Sequence, residues 1–257
     1  MTIDPHPYTP EKQYPRAYFA APVHFACRIA ILSGLPIIAA IETYTGLYRE
    51  IVNAPPSEGC SHPLWADLTR EIAPLSDPEA ITGAAYARYC AQPHSAYDPH
   101  KNGENARIFG ALGYYYHAEM RQVRLHFFPA RSATSALARQ HLPQRRADFA
   151  QLLADVRQFH PEAATVKSST WLQNLPNYRT LFPAAFTARL RDIGGGSYLG
   201  VWGQFVRADG SDNHARLADF QSRLATARIL TEAINALPLK VLEATGPIAD
   251  FYPEYNI

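Results

Sequence analysis

Several short stretches of this chain place side chains where they could do acid–base, nucleophilic or ligand-binding chemistry, and each also has an ordinary structural reading. In Gln122-Val-Arg-Leu-His-Phe-Phe128, strand alternation sets Arg124 and His126 on one face and Val123, Leu125 and Phe127 on the other. A histidine near a strand end can reach a cleft and exchange a proton near neutral pH. It can equally be a structural residue. Ser168, Ser169 and Thr170, just before Trp171, put three hydroxyls where a strand runs out, the place where α/β folds bind ligands. The GxSxG elbow of a hydrolase serine is absent, and hydroxyls at that point also cap turns and helix starts. Asn174, Tyr178 and Arg179 offer amide, phenol and guanidinium donors to a carbonyl or carboxylate, or else stabilise a tight turn.

Two further patterns are weaker. Arg191-Asp-Ile-Gly194-Gly-Gly196 fits R-x-x-G-x-G, whose backbone N–H groups cradle a pyrophosphate when a helix follows; here a strand is expected instead, so the glycines read as a flexible turn. Trp202 and Gln204 fall on one face of that expected strand, Tyr198 to Val206, as a pocket wall or as core. Ten histidines raise the question of a metal, yet HExxH is absent and His117-Ala-Glu119 lacks a downstream PCxxC, so no metal is expected.

Composition narrows the classes. A formal charge of +1 leaves no field for holding a polyanion, so nucleic acid is not an expected partner. Cys27, Cys60 and Cys90 are odd in number and widely spaced, which fits neither a disulfide framework nor CxxC, and a reducing cytoplasm is the expected compartment. The uncharged run Ile29 to Ile41 is shorter than the ~20 residues of a span, so a broken or paired buried helix is expected and no membrane partner. No signal peptide is expected.

The elements that would position these residues fall in two parts. Residues 1–22, rich in Pro and Tyr, read as an extended arm. Helices follow from Val23, with a break at Gly34 to Pro36, then from Pro63 to Ala73, and then from Pro78 to about Cys90 behind an Asp77 or Ser76 cap. The polar stretch 92–105 marks a boundary, giving a helical part at 1–104 and an α/β part at 105–257, an α+β chain overall. A hairpin joins Gly113 to His117 with Gln122 to Phe128. A helix over Gln144 to His160 shows apolar residues at helical spacing, Ala164 to Trp171 is a strand, and strand, helix, strand implies a parallel crossover. Asn213 to about Asn235 reads as a helix, and a short helix with an extended tail closes the chain.

The order of pieces between Tyr114 and Pro183 resembles the GNAT-like C-terminal domain of certain bacterial acyltransferase proteins, in which a helical domain precedes an acetyltransferase-type mixed α/β sheet. The matching pieces are Leu125-His126-Phe127-Phe128-Pro129, Phe159-His160-Pro161, Ser169-Thr170-Trp171-Leu172 and Leu175-Pro176. The resemblance implies transfer from an acyl-CoA or acyl-carrier thioester to a small-molecule amine or hydroxyl. The thioester would lie in a splay between the strands at 122–128 and 164–170. His126, Ser169 and Tyr116 are then the catalytic candidates, His126 as general base or orienting group. Arg124, Trp171, Asn174, Trp202 and Gln204 are the substrate candidates. The loop 129–143 holds no glycine, so Arg131 and Arg139 stand in as phosphate ligands. Two other classes stay open: a non-catalytic binding protein with an aromatic cleft of Tyr114, Tyr116, Trp171 and Trp202, and a metal-dependent hydrolase using His117, Glu119 and His126. The oligomeric state is not legible in the sequence.

Overall fold

A computed structural model describes residues 14–52, 59–92, 106–128, 134–193 and 200–257. They divide into two compact units. One gathers the described residues between Pro10 and Asn102 with those between Gly194 and Leu239; the other gathers those between Gly103 and Ile193 with Lys240–Ile257. One division between the units falls between residues 102 and 103. Residues 200–239, expected in the α/β part, cluster instead with the N-terminal helices.

The helical unit begins with α1 (Arg16–Ser33), α2 (Ile37–Tyr44), α3 (Leu47–Val52), α4 (Pro63–Ile72) and α5 (Pro78–Cys90). Of the expected arm 1–22, the described part from Arg16 is helix, and α1 runs through Pro22. Proline costs a helix interior about 3 kcal/mol, but Tyr18, Phe19, Val23, Phe25, Ala26 and Ile29 are all buried, and that burial outweighs it. Gly34 ends α1 in the left-handed region (φ 73°), and α2 leaves at 119° to it. Among the described residues no single helix is long and apolar enough to cross a membrane. Asp77 caps α5, accepting from the N–H groups of Glu79 and Ala80, with Pro78 in the first turn, as the sequence predicts.

The second unit is built on β1 (Arg107–Phe109), β2 (Leu112–His117) and β3 (Gln122–Phe127), then α6 (Leu142–Phe159), β4 (Thr165–Thr170), α7 (Pro176–Arg179), α8 (Ala184–Thr187) and β5 (Arg191–Asp192). The chain then supplies α9 (His214–Thr226) and α10 (Leu230–Ile234) to the helical unit. It returns as β6 (Leu242–Pro247) and α11 (Phe251–Glu254). The strands form one mixed sheet in the order β1-β2-β3-β4-β6-β5. Every neighbouring pair is antiparallel except β3 and β4, which are parallel and joined through α6, as strand, helix, strand implied.

One face of the sheet is apolar. Phe149, Leu152, Leu153 and Val156 of α6 join Leu112, Tyr114, Val123, Leu125 and Val166 in a single buried cluster, closed by Phe182, Phe186 and Phe251. Tyr114 donates to Asp155 of α6 at 2.6 Å, and Arg107 pairs with the same carboxylate at 2.6 Å, which ties β1 and β2 to the helix. Three expectations are corrected. Within the strand expected from Tyr198 to Val206, Trp202–Phe205 is a short 3-10 helix. The helix expected from Asn213 to Asn235 is two, divided at Ala227 to Ile229. The tail contains β6, which lies inside the sheet between β4 and β5.

Candidate functional site

The other face of the sheet collects the polar residues in transverse rows. Across one row the registered partners are Tyr115, Arg124, Lys167 and Thr245. In the next, Gly113 pairs with His126 on one side, and Ser169 pairs with Glu243, itself paired with Arg191, on the other. Between His126 and Ser169 the rows part. The parallel ladder covers Gln122 to Arg124 with Thr165 to Lys167 only, while β3 runs on to Phe127 and β4 to Thr170.

This opening exposes backbone. Phe128 N–H donates to Ala111 on the β2 side, whereas Arg121 C=O accepts from Ala164 and Thr165 at the start of β4. By alternation Leu125 and Phe127 turn their backbone groups from β3 toward β4, and Ser169 turns its own back; the Leu125 N–H belongs to the last ladder pair, with the Lys167 C=O, so it is the Leu125 C=O and the groups of Phe127 that face the gap. Past Arg124 and Lys167, no ladder pair among the described residues joins the two strands. A sheet interrupted in this way presents an internal edge, with two strands each able to accept an extended ligand.

The side chains around the opening are chemically distinct. His126 packs edge-on against Tyr115 (ring centroids 4.6 Å apart) and beside Phe128. Burial, then the nearby Arg124 and His117, lowers its pKa to about 4, so the imidazole is neutral at pH 7. On the far wall Glu243 accepts from Lys167 at 2.9 Å and from Arg191 at 3.1 Å. Its burial alone would raise the carboxyl, but the two cations together hold it below the usual carboxylate range. Ser169 sits directly across from it in the β4–β6 register.

Not every residue singled out in the sequence joins this group. Tyr116 is opposite Val123, on the helix-covered face, where its ring stacks on His160 at 4.1 Å; burial and the Glu162 carboxylate raise its phenol. It is therefore not beside His126. Ser168 faces the same way and accepts from Gln173 at 3.1 Å, and Thr170 caps the following 3-10 turn by accepting from Leu172 N–H. The amide of Asn174 donates to the carbonyls of Trp171 (2.7 Å) and Lys240 (2.8 Å), and Arg179 donates to the Gln173 carbonyl. These donors hold the turn after β4. Trp171 lies at the edge of the core cluster.

Trp202 and Gln204 are core residues of the helical unit: the indole donates to Thr45 C=O at 2.9 Å, and the buried amide bridges Val201 and Leu239. The aromatic cleft expected of Tyr114, Tyr116, Trp171 and Trp202 is not assembled, since Tyr114 is buried against Asp155 and Trp202 packs on Phe25 and Phe220. Arg139 is exposed in the turn before α6. Arg131 and Gly194 to Gly196 lie outside the described residues. Among the described residues no group of three or more His, Cys, Asp or Glu is placed to hold a metal ion, so His117, Glu119 and His126 do not form one. A hollow of about 270 Å³ between α4 and α5 has two charged residues, Glu71 and Arg88, which pair with each other at 3.0 Å.

No family model, curated protein or solved structure matches the chain. The site has to be read from its own residues. Of these, Lys167 and Glu243 escape sequence reasoning, and Arg191, read there as the start of a glycine-rich turn, is paired with Glu243 instead. The signal available for Glu243 is the alternation of Leu242 and Ala244 with Glu243 and Thr245, short and interrupted by Gly246-Pro247.

Proposed function

We propose that this protein is an acyltransferase of GNAT-like architecture, moving an acyl group from a thioester to a small-molecule amine or hydroxyl. The observation that carries the reading is the opening between β3 and β4, which lies between the strands where the resemblance put the thioester. A pantetheine arm is a flexible chain with two amides, and amides bind along free strand edges as an added strand would. Its thioester end would then lie between His126 and Ser169.

Transfer needs the acceptor nitrogen or oxygen to attack the thioester carbon, a new C–N or C–O bond to form, the C–S bond to break, and one proton to pass from acceptor to sulfur. With a pKa near 4, His126 is a weak proton acceptor at pH 7 but a good hydrogen-bond acceptor, so its role in this reading is to orient the acceptor. Ser169, on the facing strand, supplies a hydroxyl toward the departing sulfur. Tyr116 takes no part, being on the other face. Arg139, exposed before α6, is free to meet donor phosphates if the donor is acyl-CoA; an acyl-carrier thioester would not need it.

The test is calorimetric titration of the full chain with acetyl-CoA, longer acyl-CoAs, free CoA and S-acetylpantetheine. Affinity that depends on the pantetheine arm, with turnover of the thioester in the presence of amines and loss of turnover in Ser169→Ala, is the expected result. Absence of binding to all four would overturn the reading. Binding without turnover of any thioester would make the opening a binding cleft rather than a catalytic one.

A further inference from the structure

The closed end of the opening holds a pairing that sheets ordinarily avoid. Arg124 and Lys167 are direct partners in the ladder, neighbouring strands lie about 4.8 Å apart, and like charges set opposite one another destabilise a sheet. The ammonium of Lys167 is drawn toward β6 by Glu243 at 2.9 Å, but that carboxylate is shared with Arg191 at 3.1 Å. Nearby, Lys240 is matched with Asp192 at 2.9 Å. One carboxylate therefore serves two cations, and Arg124, exposed, has no ion-pair partner among the described residues. The same row and its neighbour carry the hydroxyls of Thr245 and Thr165, with Gln122 bonded to the latter. The result is an excess of positive charge on an open face, at the foot of a cleft.

We propose that the Arg124 and Lys167 pair binds the oxyanion group, a carboxylate or a phosphate, of a small-molecule ligand whose remainder extends between His126 and Ser169. The planar guanidinium of Arg124 suits two-point contact with such a group, and Lys167 keeps donors beyond the one given to Glu243. An anion above the pair also removes the repulsion between them, so occupancy relieves an unfavourable feature of the empty sheet. The proposal goes beyond the acyltransferase reading and does not depend on it.

The test measures thermal shift and calorimetric affinity of the full chain for inorganic phosphate and for succinate, with sodium chloride at matched ionic strength, and for S-acetylpantetheine, which has neither phosphate nor carboxylate. Phosphate or succinate should raise the melting temperature saturably in the wild type. Arg124→Gln and Lys167→Gln should each weaken that affinity roughly tenfold or more, while Arg223→Gln, on α9, should leave it unchanged. Without any anion, Arg124→Gln should melt no lower than the wild type, because it removes a repulsion. A response no greater than that to chloride, or one retained in Arg124→Gln, overturns the site. An anion response without pantetheine binding supports this site and counts against the acyltransferase reading; pantetheine binding without an anion response does the reverse.

Discussion

The two faces of the sheet share one backbone and one set of strands, yet their polar groups are used in opposite ways. On the helix-covered face polar groups mostly hold structure: Tyr114 is bonded to Asp155 and Ser168 to Gln173, while Tyr116 stacks its ring on His160. On the other face Arg124 lies exposed with no ion-pair partner among the described residues, Ser169 stands on the wall of a gap, and His126 is kept neutral. The covered face has to satisfy its polar groups internally, because an unmet donor or acceptor there costs about 1–3 kcal/mol. Where the other face is exposed, as at Arg124 and Thr245, solvent removes that requirement, so charge can be left available for a ligand.

Substitutions can break or sharpen this contrast, and the covered face should give the largest effect. Phe149 is fully buried among Phe182, Phe251 and Tyr255, so Phe149→Ala should cost about 3–5 kcal/mol in urea denaturation. A loss under about 1 kcal/mol would mean that α6 does not carry the core.

Acid should act next, through His126. Its pKa in the folded chain, about 4, lies below the ordinary value of 6.5, so between these values the unfolded chain binds more protons. Stability from this group is complete above pH 6.5 and falls as the pH is lowered toward 4, by up to about 3 kcal/mol. His126→Gln should flatten that limb of a stability–pH curve; an unchanged slope would assign the acid sensitivity to other groups.

Lys167→Met removes one of the two donors to a carboxylate that is nearly buried, and a loss of about 1–2 kcal/mol is expected in the same denaturation assay. The smallest effect should come from Arg124→Gln, within about 0.5 kcal/mol of the wild type or slightly stabilising. A large destabilisation there would show that Arg124 is structural and that the open face is not free for a ligand.

Local patterns carried a good part of the fold. The alternation in Gln122 to Phe128 put Arg124 and His126 together on one face, and they share it. The spacing of Phe149, Leu152, Leu153, Val156 and Phe159 reads as the buried side of α6, which holds for the first four but not for Phe159, half exposed at the end of the helix, and Asp77-Pro78 marked the start of α5. Each of these signals is written within one element, where side-chain period or a cap decides the outcome. The misplaced segments are those in which local pattern and burial disagree. Trp202 and Gln204 alternate as in a strand, but their indole and amide find partners at Thr45 and Leu239, far away in sequence, and the segment winds into a 3-10 turn. Pro22 argued for an extended arm, but the apolar residues around it are buried as a helix.

The amino-acid sequence by itself determined the elements that face one another over short range, the hairpin of β2 and β3, the α6 crossover and β4, together with the side of β3 on which His126 lies. Tertiary structure alone decided that β6 returns from the end of the chain to lie beside β4, bringing Glu243 to Lys167 and opposite Ser169. It also decided that β3 and β4 separate after Arg124 and Lys167. The reason is physical: periodicity and capping are set by neighbours a few residues apart, whereas register between distant strands is set by which pairing buries the most apolar surface and satisfies the most backbone, a property of the whole sheet.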